Sequence, residues 1–261
     1  MIAKRRSKKR KSTNLYKWLI IILLPLLFWV FRNDFRSLFI HHPQGTKSIA
    51  WYQNQLSGYS IFGIDVSEYQ ENIDWKKLTD ETSTSFVFIR ATAGNNKLDK
   101  KFNFNWEQAH NYQLICGAYH YYRPDENSLE QVANFTKHVE LKTGDLPPVV
   151  DIEKFSNIQS VSSLKTGVLR FLNAIESHYN VTPILYTYNH FYAQQIANDA
   201  RFDKYPLWIA RYNISESPGS VAQSWKIWQF TDNGNVPGIK TVVDINVFCC
   251  NKEQLKALRI K

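Results

Sequence analysis

The chain has 261 residues, 44% hydrophobic, 15% aromatic and 21% charged, which is enough apolar material for a large packed core and excludes a disordered chain. Its formal charge of +9 is unevenly placed: residues 1–17 hold eight Lys and Arg and no acid, and subtracting those eight leaves +1 for the rest. That near-neutral remainder argues against nucleic acid as a partner, and three cysteines (Cys116, Cys249 and Cys250) are too few for a disulfide framework.

The basic run is followed by an apolar segment, Trp18 to Phe31, flanked by Lys17 and Arg32. About fourteen residues make roughly 21 Å of helix, short against a hydrocarbon core of roughly 30 Å. That length suits a signal-peptide core or a short signal anchor. The nearest small-x-small cleavage signal, Ser48-Ile49-Ala50, lies far downstream. The expectation is therefore an uncleaved transmembrane anchor over residues 18–31. Residues 1–17 form a cytoplasmic tail, and the remainder lies on the periplasmic or extracellular side. Cleavage would instead release a secreted form. Residues 32–59 read as a connector.

From residue 60 the pattern becomes regular. Strands are expected over Ile61–Val66, Ser85–Ala91, Leu114–Tyr122, Leu146–Glu153 and Pro183–Tyr188. Helices are expected between them: a short one near Ile73–Leu78 capped by Asp74, then Asp99–Tyr112, Leu129–Leu141 and Val161–Tyr179. Near-continuous apolar strands alternating with helices indicate βαβ units and a parallel sheet. The rhythm then changes. Pro206–Arg211, Ser224–Phe230 and Val242–Phe248 are strand-like, and their connections carry no helical period. Eight strands in about 190 residues predict an α/β fold, an incomplete (β/α)8 TIM-like barrel over 60–250, with a C-terminal helix over 251–261. Cys116 falls in an apolar strand and reads as a small hydrophobe, although a bridge to Cys249 or Cys250 is left open.

The chemistry is densest at Val149-Val150-Asp151-Ile152-Glu153. On a strand, residues i and i+2 share a face, roughly 6.5 Å apart, so Asp151 and Glu153 face one way. Like charges that close raise one pKa, which makes a carboxylic acid a proton donor near neutral pH. Other polar residues recur at strand ends: Asp65, His120, Tyr121, Tyr122, Tyr186, Tyr188 and Arg211. In α/β barrels that end carries the site. An acidic cleft with aromatic walls suits a polysaccharide, and glycoside hydrolysis needs one protonated carboxyl and a second group to stabilise or attack the oxocarbenium-like centre. No Cys/His spacing resembles a zinc site, so neither metal nor cofactor is expected.

The chain resembles the glycoside hydrolase family 25 lysozymes, the Chalaropsis-type N-acetylmuramidases. The matching segments are Gly63-Ile64-Asp65-Val66-Ser67 with Gln70 and Ile73-Asp74-Trp75, Phe86 to Thr92, Gly117 to Tyr121, Pro147 to Glu153, Leu185-Tyr186-Thr187, Pro206 to Tyr212, and Trp228-Gln229-Phe230 with Val236 to Ile239 and Val243-Asp244-Ile245-Asn246. The resemblance implies hydrolysis of the β-1,4 bond between N-acetylmuramic acid and N-acetylglucosamine in peptidoglycan. It implies Glu153 as proton donor, with Asp151 placing the substrate's own N-acetyl group as nucleophile. Asp65 and Asp244 would complete the catalytic acids, and Tyr119, Tyr121, Tyr186 and Arg211 would bind sugar. The chain departs from the family pattern at Ala93, where many members carry an acid, and around Glu68 and Tyr69.

The expected protein is a membrane-anchored monomer acting on peptidoglycan glycan strands. Its rivals are an inactive glycan-binding module, a metal-dependent phosphodiesterase using the clustered acids, and a nucleic-acid binder using the basic tail.

Overall fold

The computed structural model describes residues 45–261 apart from Val221 and Gln223. The basic tail, the expected anchor and the connector as far as residue 44 lie outside the described residues. Among those described, no helix is long and apolar enough to cross a membrane.

Eight strands close into a barrel. Numbered in chain order, the elements begin with β1 (Lys47–Ser48), α1 (Ile49–Gln55), β2 (Phe62–Val66), α2 (Trp75–Glu81), β3 (Phe86–Ala93) and β4 (Lys97–Leu98). They continue with α3 (Phe102–Asn111), β5 (Ile115–Tyr121), α4 (Ser128–His138), β6 (Val149–Asp151), α5 (Val161–Tyr179) and β7 (Ile184–Tyr188). The last are β8 (Leu207–Ala210), β9 (Trp225–Asn235), β10 (Val243–Phe248) and α6 (Lys252–Leu258). The barrel order is β2-β3-β5-β6-β7-β8-β9-β10, returning to β2. The barrel strands β2, β3, β5, β6, β7, β8 and β9 run parallel, β10 is antiparallel to both neighbours, and the short β4 pairs antiparallel with β3 off the barrel path. Helices α2 to α5 follow β2, β3, β5 and β6. After β7 the chain makes only short helical turns, Asn189–Phe191 and Tyr192–Ile196, and neither β8 nor β9 is followed by an α-helix. The expected incomplete barrel is therefore present, with its missing helices at the end of the chain.

Strand alternation divides the side chains between two cores. Outward residues such as Ile64, Val87, Ile89, Val150, Ile152, Leu185 and Ile209 pack under the helices. Helix α5 buries Leu164, Val168, Phe171, Leu172 and Ile175 at spacings of three and four, the period of one helix face. Its N-terminus is closed by Ser160, which accepts from Ser163 N–H, and Asp74 caps α2 as expected. Inward residues Phe86, Phe88, Val149, Ile184, Trp208, Ile227 and Phe248 fill the barrel. Gly117 makes room there, since a Cβ on it would lie 2.4 Å from the Phe88 ring. Phe88 and Trp208 stack at 4.4 Å and floor the space above them.

Three boundaries differ from the sequence expectation. Residues 45–59 are not a free connector: β1 pairs with β9, and Ile49 and Tyr52 of α1 are buried. Helix α3 begins at Phe102 rather than Asp99, because the Asp99 carboxylate is committed to Arg90. The C-terminal helix is part of the domain, with Leu255 in the inner core and Ile260 N–H bonded to Asp145 O. Cys249 and Cys250 pair with each other, and Cys116 is free and buried, so the long-range bridge left open above does not form.

Candidate active site

The inward residue nearest the C-terminal end of each parallel strand is polar on most strands, and together they line one cavity of about 200 Å³. Asp65, Asp151, Glu153 and Asp244 all line it, as do Tyr119, Tyr121 and Tyr186. Asp244 arrives differently from the others. It sits at the start of β10, and only the antiparallel course of that strand brings it to the mouth, where it pairs across from Asp65. Glu153 lies two residues beyond the end of β6, yet it shares the cavity with Asp151 while Ile152 points into the outer core.

The Asp65 wall is braced by the protein's own hydrogen bonds. Asn246 Nδ2 and Gln229 Nε2 donate to Asp65 Oδ2 at 2.8 and 2.9 Å. Asn246 Oδ1 accepts from Trp208 Nε1 at 2.7 Å, which fixes the amide's orientation. Gln229 Oε1 accepts from Tyr186 and Tyr212 hydroxyls at 2.8 and 3.0 Å. Burial raises the Asp65 pKa to about 6, against the pull of the two amides, which favour the charged form.

The opposite wall is open. Asp151 is buried, and its Oδ1 has no hydrogen-bond partner among the described residues. Burial, then the charges of Glu153 and Asp65, hold its carboxyl well above the usual range. Glu153 is raised to about 7, first by burial and also by Asp65, with Lys154 opposing. The repulsion expected between the two acids is present and acts on Asp151, while the largest cause of the Glu153 shift is burial. Asp244 is raised by burial and by the charge of Asp65.

Several residues belong to this cavity that the sequence reading did not assign to it. Gln229 lines it and the buried Asn246 braces Asp65 behind it, and both had a visible signal, a polar side chain inside a strand of apolar residues. Tyr69, Arg90, Trp208 and Tyr212 also line it, together with Tyr188, one of the strand-end residues named above. Arg90 is held by Asp99 at 2.8 Å and Glu68 at 3.1 Å, and its guanidinium lies 4.8 Å from the exposed Tyr69 ring. Arg211 does not line the cavity. Its side chain turns to Ser217 O and Glu216 on the following loop. His120 and Tyr122 face outward: His120 lies between Thr92 and Gln131 and stacks on Phe171, and Tyr122 bonds Ser128. Burial lowers the His120 pKa to about 4, so it is a neutral core residue. Among the described residues, no group of three or more His, Cys, Asp or Glu could hold a metal ion.

A barrel mouth that buries carboxyl groups with one acid raised to neutral pH defines an acid–base hydrolase of the glycosidase type. Residues 64–239 match the family model for glycosyl hydrolases family 25. The chain belongs to that family and is a glycoside hydrolase. It is 35% identical over 205 residues to YegX of Escherichia coli K12, covering 77% of this chain and 74% of that one. It is 30% identical over 209 residues to Lysozyme M1 of Streptomyces globisporus, covering 76% and 71%. The structure of a family 25 glycosyl hydrolase from Bacillus anthracis superposes with a TM-score of 0.69 at 29% identity, covering 76% of this chain and 93% of that one.

Proposed function

We propose that the protein is a peptidoglycan muramidase that cleaves the β-1,4 bond between N-acetylmuramic acid and N-acetylglucosamine. The observation that carries this reading is the pairing of a near-neutral acid, Glu153, with a buried Asp151 oxygen that has no partner. Similarity to Lysozyme M1 supports the choice of bond.

In this mechanism Glu153 gives its proton to the leaving glycosidic oxygen as the C1–O bond breaks. The 2-acetamido carbonyl oxygen of the same sugar attacks C1 from the other face and forms a cyclic oxazolinium ion. Asp151 Oδ1 accepts the acetamido N–H, orients it, and takes up the positive charge that develops on nitrogen. Water then opens the ring at C1, and Glu153, now a carboxylate, takes the water's proton. Two displacements at C1 retain the anomeric configuration. Asp65 and Asp244 supply negative potential to the oxocarbenium-like centre. The tyrosines give the sugar rings flat walls. No cofactor takes part.

The working location is outside the cell, with residues 18–31 as a membrane anchor and the catalytic domain acting on glycan strands as a monomer. The supporting feature is the apolar run behind a basic tail. Membrane fractionation of the full chain at high salt tests it, and recovery of a soluble form beginning near residue 32 would show cleavage instead. The activity is tested by mass spectrometry of fragments released from purified peptidoglycan. Reducing-end N-acetylmuramic acid is expected, and reducing-end N-acetylglucosamine alone would overturn the assignment.

A further inference from the structure

We propose that Lys154 reads a carboxylate on the substrate, so that the cleft favours an acidic glycan over its neutral analogue. This rests on the muramidase reading and adds the residue that recognises the acidic sugar chain.

A muramic-acid glycan is anionic, and the cavity wall already holds Asp65, Asp151, Glu153 and Asp244. Such a wall repels an acidic ligand unless a cation stands nearby. Among the described residues Arg90 is the only cation lining the cavity, and Asp99 and Glu68 share its guanidinium. Lys97 is paired with Glu68. Arg211 is engaged by Ser217 and Glu216. Lys154 is different. It directly follows Glu153, its side chain is exposed, and its ammonium lies 5.8 Å from the ring centre of Tyr121, which lines the cavity. No carboxylate of the described residues forms a salt bridge with it.

Its backbone is fixed on both sides. Before it lies the end of β6. After it, Phe155 packs on Phe191 at 5.0 Å, and Asn157 donates to Asp125 through N–H at 2.9 Å and Nδ2 at 2.8 Å. A short pinned segment therefore holds beside the proton donor one ammonium that leans on the Tyr121 hydroxyl and has no carboxylate in a salt bridge. An ammonium on a flexible stem suits a single carboxylate oxygen at a variable distance. That carboxylate can belong to the lactyl ether of the sugar or to a stem peptide attached to it.

The test compares full-length wild type, Lys154→Gln and Lys154→Arg on peptide-stripped glycan strands, on the same strands with every carboxylate amidated, and on peptide-bearing peptidoglycan. Lys154→Gln should raise KM roughly fivefold on a carboxylate-bearing substrate. It should leave KM on the amidated strands unchanged, and Lys154→Arg should retain most of the preference. The KM effect should shrink in about 0.5 M salt as the charge pair is screened. Loss on stripped strands assigns the lactyl carboxylate, and loss confined to peptide-bearing material assigns the peptide. Equal loss on charged and amidated strands, or a change in kcat and its pH limb alone, overturns the proposal, because Lys154 would then act only on Glu153. No loss on any substrate overturns it too. If wild type opens none of the three, the muramidase reading itself fails; if wild type opens them and Lys154→Gln matches it, only this inference fails.

Discussion

Asp65 and Asp151 are equally buried, 6% and 5% exposed, in one cavity, and the protein treats them in opposite ways. Two amide N–H groups hold Asp65 Oδ2, and a third donor, Trp208, orients one of those amides. Asp151 Oδ1 has no such donor. The difference shows in their acidities. Asp65 is lifted only to about 6, whereas Asp151 is held well above its ordinary value by the same kind of burial. A buried polar atom without a partner costs about 1–3 kcal/mol. Such a cost persists where a ligand supplies the missing donor. One wall is finished by the protein, and the other is shaped to be finished by the substrate.

The largest expected effect lies on the open wall. Glu153→Gln keeps the size of the side chain and removes its titrating proton, so kcat on peptidoglycan should fall by at least about 10² while glycan binding, measured by pull-down, persists. Near-normal turnover would pass the donor role to Asp65 or Asp244. Asp151→Asn should lower kcat by roughly tenfold or more. The amide can still accept one hydrogen bond, but it cannot neutralise the charge that develops on the acetamido group. A loss seen only in KM would mean that Asp151 binds without assisting.

The finished wall should respond in stability first. Asn246→Leu or Gln229→Leu removes one donor from Asp65, and each should cost about 1–3 kcal/mol in chemical denaturation. Each should also push the Asp65 carboxyl above about 6, because the lost bond favoured the charged form. If neither variant differs from wild type, the amide network is not what holds this wall.

Both walls together set the pH dependence of stability. Glu153 rises from 4.5 to about 7 and Asp65 from 3.8 to about 6. The folded state therefore binds more protons than the unfolded chain between these limits. The stability linked to these groups is fully present below about pH 4 and is lost as pH rises through 6 to 7. For Glu153 alone the loss is roughly 3 kcal/mol. Thermal melts of wild type and Glu153→Gln from about pH 4.5 to 7.5 should converge at low pH and separate at high pH, with the variant falling less.

The smallest effect links the walls. Wild-type activity should decline above pH 7 as Glu153 loses its proton. Asp65→Asn removes a charge that lifts Glu153, so the alkaline limb of the residual activity should move down by roughly half a pH unit. Asp151→Asn should leave that limb near its place. The reverse pattern would restore Asp151 as the charge that tunes the donor.

Much of this molecule is legible along the chain. The strands are apolar runs, α5 carries a clean helical period, and Asp74 and Ser160 cap their helices through bonds made within a few residues. Asp151 and Glu153 share a cavity because two residues make one strand period, a local property. The ordered motifs from Gly63 to Asn246 were enough to indicate the family and the incomplete barrel. Tertiary structure decided the rest. Closure of the sheet through an antiparallel β10 placed Asp244 across from Asp65. It also brought Gln229 and Asn246 onto the same carboxylate, 164 and 181 residues away in sequence. It turned Arg211 out of the cleft, drew residues 45–59 onto the barrel and paired Cys249 with Cys250. The cause of the Glu153 shift could not be read from spacing, because it is mainly burial. Burial belongs to the closed barrel and to no single segment of it, so a one-dimensional pattern can place an acid but cannot set its acidity.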